Sequence, residues 1–228
     1  MEAPPSPVDA YIRQLMGKER PKICFIPTPS GDSLEHIESF YDAYDRSVCE
    51  PSHLAFFRKP APGSAKLSAF EAHVLEQDAI FVGGGSTKSA LGVWREWGLD
   101  RVFKRAYHAN VLLSGMSAGA MCWFESGLTD SYWGAGYQPL ECLGFLQGGC
   151  GVHYHADLER QQRLREAIES GAIPASVAID DFAAVLYENE KISRSIRWAK
   201  NSGAFTVSLS KGQATEARHT CDDIRVDV

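Results

Sequence analysis

Short apolar runs alternate with amphipathic stretches along the first half of the chain. The apolar runs predict buried strands and lie at residues 22–27, 53–57, 79–85 and 110–117. The stretches between them repeat apolar positions at helical spacing and lie at residues 33–46, 67–77, 86–98 and 100–109. Strands that alternate with helices are typical of a parallel sheet covered on both faces.

The second half of the chain has a different texture. Residues 125–152 are rich in glycine, with tyrosine, tryptophan and proline between, and predict long loops with at most one short strand. Residues 156–171 predict a helix, and the tail beyond them alternates like antiparallel strands at a sheet edge. Because no repeat, low-complexity tract or linker interrupts the pattern, we expect one α/β domain over residues 1–228.

Composition restricts the partners and the compartment. The 228 residues are 44% hydrophobic and carry a formal charge of −6, which argues against nucleic acid or an anionic membrane as a partner. Six cysteines without a C-x-x-C pair indicate buried thiols in a reducing compartment, rather than disulfides or a zinc site. With no apolar run near 20 residues and no secretory signal pattern, a cytoplasmic protein is expected.

The stretch SGMSAGAMCWF places Ser117 in a G-x-S-x-G pattern between an apolar strand and helix-forming residues. On such a turn a serine hydroxyl is exposed as a nucleophile, and the N–H of Ala118 points to where an oxyanion would develop. The alternative is that Gly115 and Gly119 only permit close packing and that Ser117 caps a helix. Cys122 is predicted to face the core from that helix, which makes a thiol nucleophile a weak alternative.

A serine nucleophile needs a base, and GGCGVHYHAD offers His153 and His155 at the entrance to a helix. If this segment is extended, both side chains point to the same side, and geometry does not choose between them. The carboxylate that orients the imidazole is sought at Asp130, Asp180 or Asp181.

A second glycine turn, FVGGGSTKS, matches neither a dinucleotide fingerprint nor a P-loop. We interpret it as the source of a second oxyanion donor, the N–H of Gly84 or Gly85. The alternative is a tight turn before a helix.

With these residues in place, the sequence resembles the peptidase E family of serine peptidases, which includes aspartyl dipeptidase and, more distantly, cyanophycinase. The resemblance runs from about residue 22 to about residue 210 and rests on ordered blocks: FVGGGST, LLSGMSAGAMCWF, GLTDSYW, LGFLQGGCGVHYH, ERQQRLREA and AIDDFAAVLY. It implies a three-layer α/β/α sandwich with a mostly parallel central sheet, related to class I glutamine amidotransferases.

The resemblance also implies roles for individual residues. Ser117 matches the family nucleophile, His153 the family histidine and Asp181 the family acid, although Val152 replaces the usual proline and the acid is often glutamate. Asp180 is the alternative acid if the shorter side chain of Asp181 does not reach. The roles for the remaining matches are oxyanion donor for Gly84 beside Ala118, a supporting position for Asp130, and pairing with a substrate aspartate for Arg160. For Arg160 the alternative is a solvated helix charge.

The resulting expectation is a serine peptidase for dipeptides or short peptides, with a preference for N-terminal aspartate and no metal or organic cofactor. Two alternatives keep the same fold: an esterase or amidase acting on a non-peptide acyl group, and a non-catalytic binding protein. Trp123, Trp133 and Tyr137 are aromatic residues suited either to a substrate cleft or to a homodimer contact.

Overall fold

The computed structural model describes residues 6–224, and their contacts divide the chain into two compact units at Gly119. The elements of the first unit are α1 Pro7–Leu15, β1 Lys22–Ile26, α2 Leu34–Ala43, β2 Glu50–His53, α3 Phe70–Leu75, β3 Ala79–Val82, α4 Thr87–Trp97, α5 Leu99–His108 and β4 Leu112–Gly115. The short helix α6, Ala118–Met121, spans the division. The expectation of one domain over the whole chain stays a prediction.

The first unit is built on a parallel sheet in the order β2-β1-β3-β4. Strands β1 and β3 are buried on both faces, as is typical of a parallel sheet between helices. On one side the rings of Phe25 and Phe40 stack with centroids 4.9 Å apart. The carboxyl ends of β1, β3 and β4 meet at one edge, and from that edge the TPSGDS loop, the GGGS turn and the Ser117 turn emerge.

The predicted strands and helices of the first half occur in the predicted order, with one misplaced strand. Residues 53–57 were expected to form the second strand, whereas β2 runs over Glu50–His53 and pairs with β1 through Pro51. Proline lacks a backbone N–H and is therefore tolerated mainly on edge strands, and β2 is the edge of this sheet. The apolar run at residues 53–57 thus places the strand too close to the carboxyl terminus.

The second unit contains β5 Phe124–Thr129, β6 Gln138–Glu141, β7 Leu146–Val152, α7 Leu158–Glu169, β8 Ser176–Ile179, β9 Ala183–Glu188, β10 Lys191–Arg197, β11 Ala204–Ser210, β12 Gln213–Arg218 and β13 Cys221–Asp223. One sheet has the order β12-β11-β8-β7-β5-β6, with β5, β7 and β8 parallel and the outer strands antiparallel. A smaller sheet has the order β13-β10-β9.

The prediction of long loops over residues 125–152 is wrong, because this segment contains most of β5 together with β6 and β7. Two of the glycines in β7 lie where neighbouring elements approach the strand. A Cβ built on Gly151 would lie 2.6 Å from the side chain of Leu164 in α7, and one on Gly149 would lie 2.3 Å from the hydroxyl of Ser176 in β8. These two glycines therefore provide room for packing inside β7. The glycines of this segment that lie between the strands have a positive φ, as is typical of glycine in turns: Gly134, Gly136 and Gly144.

Among residues 6–224, no helix has both the length and the apolar character needed to cross a bilayer.

The turn that follows β4 packs tightly on β3. A Cβ added to Gly119 would lie 2.1 Å from the carbonyl oxygen of Val82, and one added to Gly115 would lie 2.4 Å from the carbonyl oxygen of Gly119. These contacts involve backbone atoms, which cannot rotate away as a side chain can. The two glycines of the G-x-S-x-G pattern thus do permit close packing of the turn on the strand.

We expect Gly119→Ala to lower the free energy of unfolding by at least about 2 kcal/mol, since the new methyl group overpacks the contact with Val82. Gly92→Ala is the matched control, because Gly92 lies inside α4 with no atom within 4 Å of its added Cβ. This control is expected to gain about 0.5–1 kcal/mol from reduced chain entropy. Urea unfolding followed by circular dichroism measures both, and equal midpoints for the two variants would contradict the packing contact.

Candidate active site

Ser117 lies on the turn between β4 and α6 with a backbone φ of 53°. A positive φ is uncommon for a residue with a Cβ, and at functional sites such strain is held in place by the surrounding structure. The side chain is half-buried, and the next residue, Ala118, is the first of α6. The strand, turn and helix that a nucleophile elbow requires are therefore all present in this segment.

The backbone of the GGGS turn runs beside Ser117. A Cβ built on Gly84 would lie 3.4 Å from the Ser117 Cβ and 3.9 Å from its Oγ. Gly85 is used differently, because its φ of 134° and its contact with Pro29, 2.1 Å from an added Cβ, leave no room for a side chain. The hydroxyl of Ser86 then caps α4. Of the two glycines considered as oxyanion donors, Gly84 is the one adjacent to the serine hydroxyl.

His153 and Asp181 form a hydrogen-bonded pair in the second unit. Strand β7 ends at Val152, and β8 ends shortly before Asp181, so the two side chains leave the same edge of neighbouring parallel strands. His153 Nδ1 lies 2.5 Å from Asp181 Oδ1, with 35% of the histidine side chain and 45% of the aspartate side chain exposed. A molecule in solution can therefore reach this pair.

His155 pairs with Asp180, whose carboxylate is more enclosed than that of Asp181 although 40% of the His155 side chain is exposed. Asp180 Oδ1 accepts from the His155 backbone N–H at 3.2 Å and lies 2.8 Å from His155 Nδ1, while Asp180 Oδ2 accepts from the N–H of Gly203 at 3.0 Å. The His155 ring packs on Phe205 with centroids 4.8 Å apart, and its Nε2 lies 3.9 Å from Glu216. Only 9% of the Asp180 side chain is exposed.

The premise that residues 153–155 continue the strand is wrong. His153 has a φ of 53° and begins a turn, so its ring and that of His155 have different surroundings. Each histidine consequently has its own aspartate, which a strictly extended segment would not predict.

Three other histidines are bound to hydroxyl groups rather than to carboxylates. His53, His73 and His219 bond tyrosine, serine or threonine hydroxyls at 2.8–2.9 Å. Burial lowers the pKa of all three imidazoles below its usual value, so at neutral pH they are uncharged. Their surroundings are those of structural histidines.

Arg160 is buried on α7 and does not have the solvated position considered as an alternative. Its guanidinium donates to the carbonyl of Val152 at 3.3 Å and to Asp130 at 3.2 Å, and it lies 4.7 Å from the ring centre of Tyr137. Tyr137 in turn donates to Asp157, which raises the pKa of the phenol, and Asp157 caps α7. The sequence indicated Asp130, Arg160 and Tyr137 separately, but the contacts that join them depend on the fold.

The remaining candidates lie inside the fold. The helix expected to contain Cys122 ends one residue earlier, so Cys122 lies in the following turn, which corrects the prediction. It is fully buried, and burial holds the pKa of its thiol well above the usual range, as expected of a core cysteine. Trp123 is buried against Phe145 and is thus excluded from a surface contact, whereas Trp133 is fully exposed.

Within residues 6–224, no group of three or more histidine, cysteine, aspartate or glutamate side chains is arranged to hold a metal ion.

Comparison with known proteins identifies relatives over most of the chain. The model of peptidase family S51 matches residues 1–195. YgaJ of Bacillus subtilis, described as an uncharacterised peptidase, is 39% identical over 210 residues, which are 92% of this chain and 87% of that protein.

Solved structures share the fold at low sequence identity. A candidate peptidase E protein from Listeria monocytogenes EGD-e aligns with a TM-score of 0.64 at 16% identity, covering 85% of this chain and 94% of that chain. A peptidase from an acI-B1 Actinobacterium aligns with a TM-score of 0.66 at 18% identity, covering 97% and 91%. These likenesses confirm the α/β fold class, with its mostly parallel sheet.

The family match and the curated relative together confirm the resemblance carried by the six sequence blocks. The chain therefore belongs to peptidase family S51 and is a serine-type peptidase.

Proposed function

We propose that this peptidase cleaves dipeptides and short peptides by attack of Ser117 on the scissile carbonyl. The observation that carries the proposal is the positive φ of Ser117 in a strand–turn–helix segment, with the Gly84 backbone beside its hydroxyl. Membership of a peptidase family favours peptide bonds over other acyl substrates and favours an enzyme over a binding protein.

In the proposed reaction His153 acts as the general base and acid. Because its Nδ1 bonds Asp181, we assign proton transfer to Nε2. Nε2 takes the hydroxyl proton as Ser117 Oγ bonds to the carbonyl carbon, and the N–H groups of Ala118 and Gly84 stabilise the oxyanion. The C–N bond then breaks, the amine leaves with the proton from His153, and a water molecule repeats the steps to release the acid.

Asp181 is proposed as the orienting acid in preference to Asp180. The carboxylate of Asp180 is already shared between His155 and the N–H of Gly203, and its side chain is nearly buried. Asp181 bonds His153 directly at 2.5 Å. The one-methylene difference from glutamate is therefore no obstacle to this role. We assign the pair of His155 and Asp180 to holding the turn that carries Asp181.

The preference for an N-terminal aspartate is proposed to depend on Arg160. Its guanidinium donates to the backbone carbonyl of Val152, so it contacts the residue that immediately precedes the proposed base, His153. The side chain of its acidic partner, Asp130, is 63% exposed, so solvent reaches this carboxylate. A substrate carboxylate would be recognised by the same planar donors that bind Asp130.

We also propose that the protein works in a reducing compartment, the cytoplasm, because five of its six cysteines are buried thiols. The homodimer stays a prediction.

Ser117→Ala is expected to lower kcat by at least about 10³-fold on a panel of dipeptides and short peptides, because the nucleophile is lost. Ser114→Ala is the matched control, since it removes a hydroxyl from the adjoining strand, where Ser114 donates to the carbonyl of Ile80. Mass-spectrometric detection of products, with nitrophenyl esters run alongside, measures both activities. Wild-type peptide cleavage by the Ser117 variant would refute the proposed nucleophile.

Arg160→Lys is expected to lower kcat/KM for Asp-Leu at least about 10-fold more than for Asn-Leu, since lysine cannot form the planar paired bonds to a carboxylate. Arg163→Lys is the control on the same helix, because Arg163 is half-exposed and pairs only with neighbouring glutamates. Equal losses for the two dipeptides would show that Arg160 supports the fold without selecting the substrate.

A further inference from the structure

Phe182 combines two unfavourable features. Its backbone φ is 62°, in the left-handed region that a bulky side chain rarely adopts, and 44% of the residue is exposed to solvent. Exposed apolar residues are common, and so is a positive φ in turns of glycine or asparagine. A strained backbone that presents an aromatic ring to water is uncommon, and such strain concentrates at functional sites.

Trp198 contacts both the backbone and the ring of Phe182. The backbone N–H of Trp198 donates to the carbonyl of Phe182 at 3.0 Å, which extends the antiparallel ladder of β9 and β10 beyond its last pair, Ala183 and Arg197. The two rings meet edge to face, with centroids 6.4 Å apart and an interplanar angle of 89°. One side of the Phe182 ring is therefore covered by Trp198, while 44% of the residue is exposed to solvent.

The same turn carries Asp181, the partner of His153. Phe182 follows it directly, so its Cα lies about 3.8 Å from that of Asp181. The turn is secured from its other end, because the N–H of Asp180 donates to the carbonyl of Gly203 and its carboxylate accepts from the N–H of Gly203. The turn of Asp180, Asp181 and Phe182 thus joins the aromatic pair to the His153–Asp181 pair.

We propose that Phe182, backed by Trp198, receives an apolar side chain of the peptide next to the bond that is cut. This inference rests on the proposed function and adds a second determinant of specificity, one that selects for an aliphatic or aromatic residue. The exposed ring of Phe182, on the residue that follows the aspartate bonded to the proposed base, would lose its contact with water when such a side chain binds, which gives the substrate favourable apolar burial. On this proposal, the strained backbone of Phe182 serves to hold the ring where the substrate side chain binds.

The test measures binding separately from cleavage. Ser117→Ala protein is titrated calorimetrically with two pairs of dipeptides, Asp-Leu with Asp-Asn and Leu-Asp with Asn-Asp, because leucine and asparagine branch alike and differ in polarity. The titrations are repeated with Phe182→Ala and Phe182→Leu added to that background. Leu209→Ala is the control for losing an exposed apolar side chain: Leu209 is 53% exposed and lies on β11 beyond the pairing of Val207 with Ser176, at the opposite end of β8 from Asp181.

We expect one leucine dipeptide to bind at least about 10-fold more tightly than its asparagine partner, the scale at which apolar pockets discriminate. Phe182→Ala is expected to remove that preference, while Phe182→Leu and Leu209→Ala retain most of it. An absent leucine preference, or one that survives Phe182→Ala, would overturn the inference. If the wild-type enzyme cleaves none of the four dipeptides and the preference is nevertheless lost with Phe182, the proposed function fails while the binding site stands.

Discussion

The close approach of backbone to backbone at the end of β3 decides where Ser117 lies. Gly119 leaves no space for even a methyl group against the carbonyl of Val82, and Gly115 leaves none against Gly119. With the turn pressed onto the strand in this way, the residue between the glycines is forced into a positive φ. The sequence allows either close packing of the turn or exposure of the serine, and the geometry of this turn provides both. The close packing of the two glycines on β3 thus also exposes the serine side chain on the turn.

The second unit uses the same residue types for two different purposes. The carboxylate of Asp180 is nearly buried and bonds both His155 and the N–H of Gly203, so its hydrogen bonds hold the chain, although 40% of the His155 side chain is exposed. The proposed proton-transfer group has to be reachable and oriented: 35% of the His153 side chain is exposed, and its bond to Asp181, itself 45% exposed, orients the ring. The two His–Asp pairs are chemically identical, and the difference in the burial of their carboxylates is what supports the different roles proposed for them.

The sequence predicted the first unit well because each strand there is a continuous apolar run and each helix has a clear period. It failed over residues 125–152, where glycine was interpreted as a turn former. The glycines inside β7 are instead explained by the proximity of elements distant in sequence, such as Leu164 beside Gly151, which no local pattern reveals. The family resemblance indicated Ser117 and His153, whereas the contact of Phe182 with Trp198 depends on the pairing of β9 and β10 and had no signal in the pattern.

The central claim is that the Ser117 hydroxyl is an activated nucleophile, and a fluorophosphonate tests it most directly. The intact mass of the wild-type protein should increase by one phosphonyl group, and peptide mapping should locate the group on Ser117. Labelling should slow by at least about 10²-fold in His153→Ala, because general-base assistance is lost. A wild-type protein that stays unlabelled, or that is labelled at another residue, would contradict the claim.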